Sequence, residues 1–250
     1  MKVLTDKKYA FFIDIDGTLT FNSEVPSKKV TDKLEYARLH GWKVFIDTGR
    51  SRGFIPDTLL ESILFDGIIA ANGQYIELDG KVLRNICLSE KQIKKTLRWV
   101  QKNGRKGYAE GVYKVYSINC DDERFEKLED SDFKNISKIF IWGALSEEDE
   151  KLLSDGIRFY RHKTYCETVV KGYSKASAMK DTLKEIDFPT ELSVAIGDSG
   201  NDMEMVCEAG IGIAVGNATE SLKNAADYIV ASNENDGVAE AVDLILNKKC

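Results

Sequence analysis

The chain has 250 residues, 43% of them hydrophobic, which is enough to bury a substantial core as one large domain or two smaller ones. Its 35 Lys and Arg against 41 Asp and Glu give a net charge of −6. That balance argues against a nucleic-acid binder working through a basic face, but it leaves room for anionic small molecules met by a metal or by a few local bases.

The five cysteines (87, 120, 166, 207 and 250) form no Cys-x-x-Cys pair and are odd in number, so reduced thiols are expected instead of a disulfide framework. Met1 to Lys8 carries charge without an apolar signal core, and no uninterrupted apolar run approaches membrane-spanning length. A soluble, cytoplasmic protein is expected, with no nucleic-acid or membrane partner and an oligomeric state that composition leaves open.

Tyr9-Ala10-Phe11-Phe12-Ile13 reads as a strand buried on both faces, and it breaks into Asp14-Ile15-Asp16-Gly17-Thr18-Leu19. Two carboxylates two residues apart at a strand tip repel each other and call for a cation, a shared proton or a basic neighbour. Pro26 to His40 is expected as a helix, with Pro26 in its first turn, Val30, Leu34 and Ala37 on one face and Gly41 as its stop. A strand at Trp42–Asp47 then ends on Thr48-Gly49-Arg50. A weaker helix at Phe54–Ser62 leads to a strand at Gly67–Ala71 that ends on Asn72-Gly73. Strands alternating with helices imply right-handed crossovers and a parallel sheet.

After about residue 80 the pattern changes. Ser89-x-x-Gln92 opens a capped helix that stops at Asn103-Gly104, and alternation over Gly107–Cys120 predicts one or two half-exposed strands. A charged helix is expected at Asp121–Asp130, followed by a strand at Lys138–Trp142, a short helix at Ser146–Ser154 and strands at Ile157–Arg161 and Tyr165–Val170. This is the pattern of a separate α+β unit, placed at 83–166 as an insertion into a core of 1–82 and 167–250. The first pattern then resumes. A helix begins at Ser174, a strand at Ser193–Ile196 ends on Gly197-Asp198-Ser199-Gly200-Asn201-Asp202, and alternating elements run to a closing helix at Val238–Leu246.

Taken singly, the polar segments have ordinary explanations. Asp and Gly are common turn residues, Thr48-Gly49 could be a plain loop, Gly197–Asp202 a polar helix cap, and Lys175 a solvated surface lysine. Asp14-x-Asp16-Gly17 has the wrong Gly spacing for an EF-hand. The chain lacks a P-loop, Gly210-x-Gly212 precedes a strand instead of following one, and His40 and His162 have no zinc spacing. In combination the two acidic strand tips can converge on a hard, oxygen-loving cation such as Mg²⁺.

The four segments in this order, Asp14–Thr18, Thr48–Arg50, Lys175 and Gly197–Asp202, resemble the haloacid dehalogenase (HAD) superfamily of aspartyl phosphotransferases. The position of the insertion is similar to that of members with a C2-type cap, specifically C2B. Asn72-Gly73, Gly216-Asn217-Ala218 and Asn235-Asp236-Gly237 resemble the Cof-type sugar-phosphatase branch. The resemblance implies a Rossmann-like parallel-sheet core with an inserted α+β cap, and a Mg²⁺-dependent phosphatase acting on small phosphorylated metabolites, sugar phosphates first among them.

The resemblance also implies roles for individual residues. Asp14 would be the nucleophile and Asp16 the general acid/base; Asp14, the Asp16 backbone carbonyl and Asp198 would hold Mg²⁺. Thr48 and Gly49 would bind the phosphoryl oxygens with Lys175 and Asn201. Lys175 would also orient Asp14, and Asp202, Arg50 and Asn72 would have supporting places. Substrate choice would rest in the cap, with Arg105, Tyr113, Lys114 and Tyr116 as candidates. A phosphomannomutase-like phosphotransferase and a non-catalytic phospholigand-binding module are the alternatives.

Overall fold

The computed structural model describes residues 7–22, 25–120, 122–162 and 164–247; Cys250, Asp121 and the first six residues of the N-terminal segment lie outside them. In chain order the strands are β1 (Ala10–Ile13), β2 (Lys43–Asp47), β3 (Gly67–Ala70), β4 (Tyr75–Leu78), β5 (Lys81–Asn85), β6 (Gly107–Gly111), β7 (Val115–Ile118), β8 (Glu126–Lys127), β9 (Ile136–Trp142), β10 (Ile157–Arg161), β11 (Tyr165–Val170), β12 (Ser193–Gly197), β13 (Ile211–Ala214) and β14 (Tyr228–Ile229). The helices are α1 (Lys28–Leu39), α2 (Asp57–Ser62), α3 (Glu90–Lys102), α4 (Glu147–Leu153), α5 (Lys175–Glu185), α6 (Met203–Glu208), α7 (Glu220–Ala225) and α8 (Gly237–Leu246). None of these helices is long and apolar enough to cross a membrane. Cys87, Cys120, Cys166 and Cys207 are free thiols.

Backbone contacts divide the chain into two compact units. One comprises Met1–Gly49, Pro56–Leu83 and Ser174–Cys250; the other comprises Arg50–Ile55 and Arg84–Tyr173. The second division therefore falls at 173/174 instead of 166/167, because β11 pairs with β10 and β9 and belongs with them. Arg50–Ile55, which pattern alone assigns to the core, also goes with the second unit.

The first unit holds an eight-stranded sheet in the order β14-β13-β12-β1-β2-β3-β4-β5. From β14 to β3 all neighbours are parallel, and β4 runs antiparallel to β3. All four residues of β1 are fully buried, as a strand covered on both faces requires. The chain crosses from β1 to β2 through α1, and in the opposite direction across the sheet from β12 to β13 through α6. Right-handed crossovers in opposite directions place these helices on opposite faces and make β1/β12 the topological switch point, where such sheets bind ligands.

Helix α1 starts at Lys28, two residues later than the expected Pro26. The Ser27 hydroxyl oxygen accepts the Val30 N–H at 3.2 Å, so Ser27 is the cap and Pro26 precedes it. The β4–β5 hairpin is absent from the sequence expectations. Its signal is Asp79-Gly80, with φ of +48° and +74°, a pair suited to a two-residue turn between strands.

The second unit has a six-stranded sheet in the order β10-β11-β9-β6-β7-β8. Its core comes from one face of α3 and from alternate strand residues, including Ile93, Val100, Ala109, Ile139, Ile141 and Cys166. The Ser89–Gln92 capping box that opens α3 is fully formed. The expected helix at Asp121–Asp130 does not form; Glu126–Lys127 instead pairs as β8 beside β7. The Asp122 carboxylate accepts the Arg124 backbone N–H at 3.2 Å and its guanidinium at 2.8 Å, a local turn that competes with helix, and no apolar face offsets it.

Candidate active site

The ends of β12, β1 and β2 lie side by side, and each runs into a polar loop. Ile13 pairs in register with Ile46 and Ile196, so the next row sets Asp14 between Asp47 and Gly197, with Asp198 one residue on. The loop after β1 turns back through Gly17 at φ +83°. A Cβ there would lie 2.7 Å from Asp198 Oδ2, so glycine is needed both for the backbone conformation and for the close approach. Thr18 Oγ1 donates to Asp198 Oδ1 at 3.2 Å, and Asn217 Nδ2 donates to the Gly17 carbonyl at 2.7 Å.

Lys175 is the first residue of α5, which Ser174 caps through the Ser177 N–H. Its side chain is fully buried, and Nζ donates to Asp14 Oδ1 at 2.5 Å and Asp202 Oδ1 at 2.6 Å. The other Asp202 oxygen accepts the backbone N–H groups of Asp198 at 3.0 Å and Ser199 at 2.9 Å. Asp202 thus ties the loop after β12 to the lysine. Asn201 Nδ2 donates to Asn72 Oδ1 at 2.9 Å, and the Asn72 N–H reaches the Thr48 carbonyl at 3.1 Å. Ala71 and Asn72 both have left-handed backbones, φ +50° and +53°. Consecutive non-glycine residues in that region carry strain that their surroundings must hold. A Cβ on Gly49 would stand 3.1 Å from Asn201 Nδ2, so a side chain at position 49 would crowd this network.

Burial raises the Asp14 carboxyl well above the usual carboxylate range; Lys175 opposes this, while Asp202, Asp198 and Asp16 add to it. Asp198 is pushed up to about 7, by burial first and by Asp202 second. Burial would lower the Lys175 ammonium, but Asp14 and Asp202 outweigh it and raise it. Asp47 is fully buried, neither of its carboxyl oxygens has a hydrogen-bond partner among the described residues, and burial lifts it well above its ordinary value. Four acids therefore share the field of one lysine.

The carboxylate oxygens of Asp14, Asp198 and Asp202 come within 4.8 Å of one another. Both Asp202 oxygens are already committed, whereas Asp14 Oδ2 accepts no hydrogen bond from a described residue. An all-oxygen donor set with surplus negative charge suits a hard divalent cation.

The structure therefore brings together Asp14, Asp198, Asn201, Asp202, Lys175, Asn72, Thr48 and Gly49. Asp16 stands exposed on the same loop as Asp14. Arg50 falls instead within the second unit, its guanidinium donating to the Phe54 carbonyl at 3.4 Å. Among the cap candidates, Tyr116 is a core residue whose hydroxyl donates to Asp132 at 2.9 Å, and Lys114 pairs with Glu126 at 2.9 Å. Tyr113 is exposed, and the Arg105 guanidinium donates to the Ala144 carbonyl at 3.4 Å. Pattern alone did not single out Asp47, and Asn217 entered only within the Cof-like segment Gly216-Asn217-Ala218, with no role assigned to it. The signal for Asp47 was an acid closing the otherwise apolar run Val44-Phe45-Ile46.

A doubly wound sheet with acids converging at its switch point, held by one buried lysine, defines a class of hydrolase. The model of the haloacid dehalogenase-like hydrolases matches residues 11–155 and 144–242, and the chain belongs to this family. It is a HAD-type phosphatase of the Cof-like kind. It is 30% identical over 240 residues to the 5-amino-6-(5-phospho-D-ribitylamino)uracil phosphatase YcsE of Bacillus subtilis, covering 92% of each chain. It is 27% identical over 235 residues to a phosphoglycolate phosphatase of Methanothermobacter thermautotrophicus, covering 93% of this chain and 96% of the other. The solved HAD subclass IIB sugar phosphatase BT4131 superimposes with a TM-score of 0.82 at 25% identity, covering 95% of this chain and 98% of the other.

Proposed function

We propose that the protein is a Mg²⁺-dependent, cytoplasmic phosphatase of small phosphorylated metabolites, sugar phosphates being the leading class, and that it works through an aspartyl-phosphate. The observation that carries this reading is the grip of Lys175 on Asp14 Oδ1, which orients the carboxylate while leaving Oδ2 without a hydrogen bond from a described residue. That oxygen attacks phosphorus, and the bond to the ester oxygen breaks. Asp16, exposed on the same loop, gives its proton to the departing alkoxide. Asp16 then takes a proton from water, which attacks the aspartyl-phosphate, releases inorganic phosphate and restores Asp14.

Thr48, Gly49, Asn201 and Lys175 bind the phosphoryl oxygens, and Asp202 holds Lys175 in place. Asn72 supports Asn201 through their amide contact. Asp14, the Asp16 carbonyl and Asp198 would hold Mg²⁺, which when bound would offset the repulsion between anionic nucleophile and anionic phosphate. The relatives include phosphatases of both a ribityl and a glycolate phosphoester, which supports the phosphoester class more firmly than any one leaving group.

The test is inorganic phosphate release across a phosphorylated-metabolite library with Mg²⁺, with Asp14→Asn as control. Turnover by the native chain and its loss in the variant are expected. Full turnover by Asp14→Asn on a good substrate would overturn the proposal. Net phosphate release from a bisphosphorylated sugar, without transfer to a second sugar, separates hydrolysis from a mutase-type reaction.

A further inference from the structure

A groove with different chemistry lies between two helices of the second unit. Between α3 and α4 there is a groove of about 590 Å³, within the size range of small-molecule sites. Its floor is apolar: Trp99 and Leu153 are buried there, and Leu152 remains 56% exposed. Its rim is basic. Lys91, Lys95, Arg98 and Lys102 follow one another at four-, three- and four-residue steps, and Lys94 lies three after Lys91, which places all five along one side of α3.

The single acid lining the groove, Asp149, is already bonded to the Trp99 indole N–H at 2.8 Å and to the Ser146 hydroxyl at 2.6 Å. Lys91 pairs with Asp155, and Lys94 pairs with Glu90. Lys95, Arg98 and Lys102 form no ion pair with a described residue.

This concentration of positive charge runs against the composition of the chain. A protein with net charge −6 places five bases around one cavity and leaves three of them without an ion pair to a described residue, Asp155 acting on Lys95 only at longer range. Lys95 and Lys102 are seven residues apart, about 10 Å along the helix axis at 1.5 Å per residue. One monoanion does not span that distance, whereas a row of linked charges does. Concavity and the apolar floor favour a compact ligand with a ring or other apolar body over an extended polymer, which a flat basic surface would suit.

We infer that the α3–α4 groove binds an organic polyphosphate, its phosphate groups along Lys95, Arg98 and Lys102 and its apolar body against Trp99 and Leu152. The lining of the groove comes from the second unit, whereas the residues assigned to the phosphatase centre come from the first. It requires no bond-making step, only recognition.

The experiment is calorimetric titration of ATP, in EDTA, into the full-length Asp14→Asn protein, so that no turnover intervenes. Saturable binding is expected. It weakens at least tenfold in Asp14→Asn/Lys95→Glu/Arg98→Glu, and a large excess of inorganic phosphate does not displace it. Circular dichroism and thermal melting verify that the charge-reversed protein is folded; if it is not, Arg98→Ala serves, with a smaller loss expected. Absence of binding, binding unchanged by the rim substitutions, or displacement by inorganic phosphate would each overturn the inference. Tighter binding of an oligothymidylate with the same sensitivity to the rim substitutions would also overturn it, in favour of a nucleic-acid surface.

Discussion

Each of the two units buries one lysine between two carboxylates, and the two clusters behave as opposites. In the first unit Lys175 lies 2.5 Å from Asp14 and 2.6 Å from Asp202. In the second, Lys138 on β9 lies 3.4 Å from Glu110 on β6 and 3.1 Å from Glu167 on β11. All three residues of the second cluster are buried, and Glu110 also accepts the Ser51 N–H at 3.4 Å. Burial raises Glu110, Lys138 offsets part of that rise, and the two glutamates outweigh burial in raising the lysine. Around Lys138 each charge has its partner within the sheet. Around Lys175 two further acids, Asp47 and Asp198, join the field, and a strained turn at Ala71-Asn72 packs nearby. A surplus of buried like charge marks a site built to receive something, whereas a matched triad marks a structural brace.

Three measurements can break or sharpen that contrast. The largest effect is expected from Lys175→Met, which removes the group that holds Asp14. kcat for phosphate release falls by about 10²–10³-fold, while Lys138→Met loses far less turnover; equal losses in the two variants would erase the distinction.

Stability follows the opposite order. Lys138→Met leaves two buried glutamates without their cation and costs about 3–5 kcal/mol in urea unfolding, the range for breaking a buried ion pair from one side. Replacing all three members with Gln, Met and Gln restores most of that loss. If Lys138→Met unfolds at the native urea midpoint, the triad is not a brace.

The smallest effect is in pH dependence. Asp14, Asp47 and Asp198 have folded-state carboxyls raised above their unfolded values, so the folded protein holds protons that the unfolded chain releases. Their contribution to stability is present at low pH and is lost as pH rises through the folded values, about 7 for Asp198. In EDTA these groups therefore lower the melting temperature between pH 5 and pH 8. Mg²⁺ needs the ionised oxygens, so its stabilising increment is larger at pH 8 than at pH 5, with each 1 kcal/mol worth about 2–4 °C for a chain of this size. Asp47→Asn removes one titrating acid and flattens the metal-free slope. A Mg²⁺ increment that is larger at pH 5 would contradict this assignment.

Much of the molecule was legible in advance because its signals are local. Ser89 and Gln92 cap α3, Gly41 ends α1, and the apolar run before Asp14 becomes a fully buried strand. Each depends on residues within one or two turns of one another. The missed pieces depended on competition or on partners distant in the chain. Asp122 chose a turn with Arg124 over a helix. Tyr116 looked like a half-exposed substrate contact and is instead packed in the core, since alternation marks two faces without saying which one is covered.

By itself, the sequence determined the doubly wound core, the strand tips that carry Asp14, Thr48 and Asp198, and the lysine at the head of α5, because periodicity, caps and strand-end polarity are written residue by residue. Only the tertiary structure decided that Asp202 would bind Lys175 with one oxygen and its own loop with the other. It also decided that Asp47 would be left beside Asp14 without a hydrogen bond from any described residue, and that Arg50–Ile55 and β11 would join the second unit. The physical reason is that burial and charge balance depend on which strands become neighbours, and parallel neighbours are set by crossovers that span many residues.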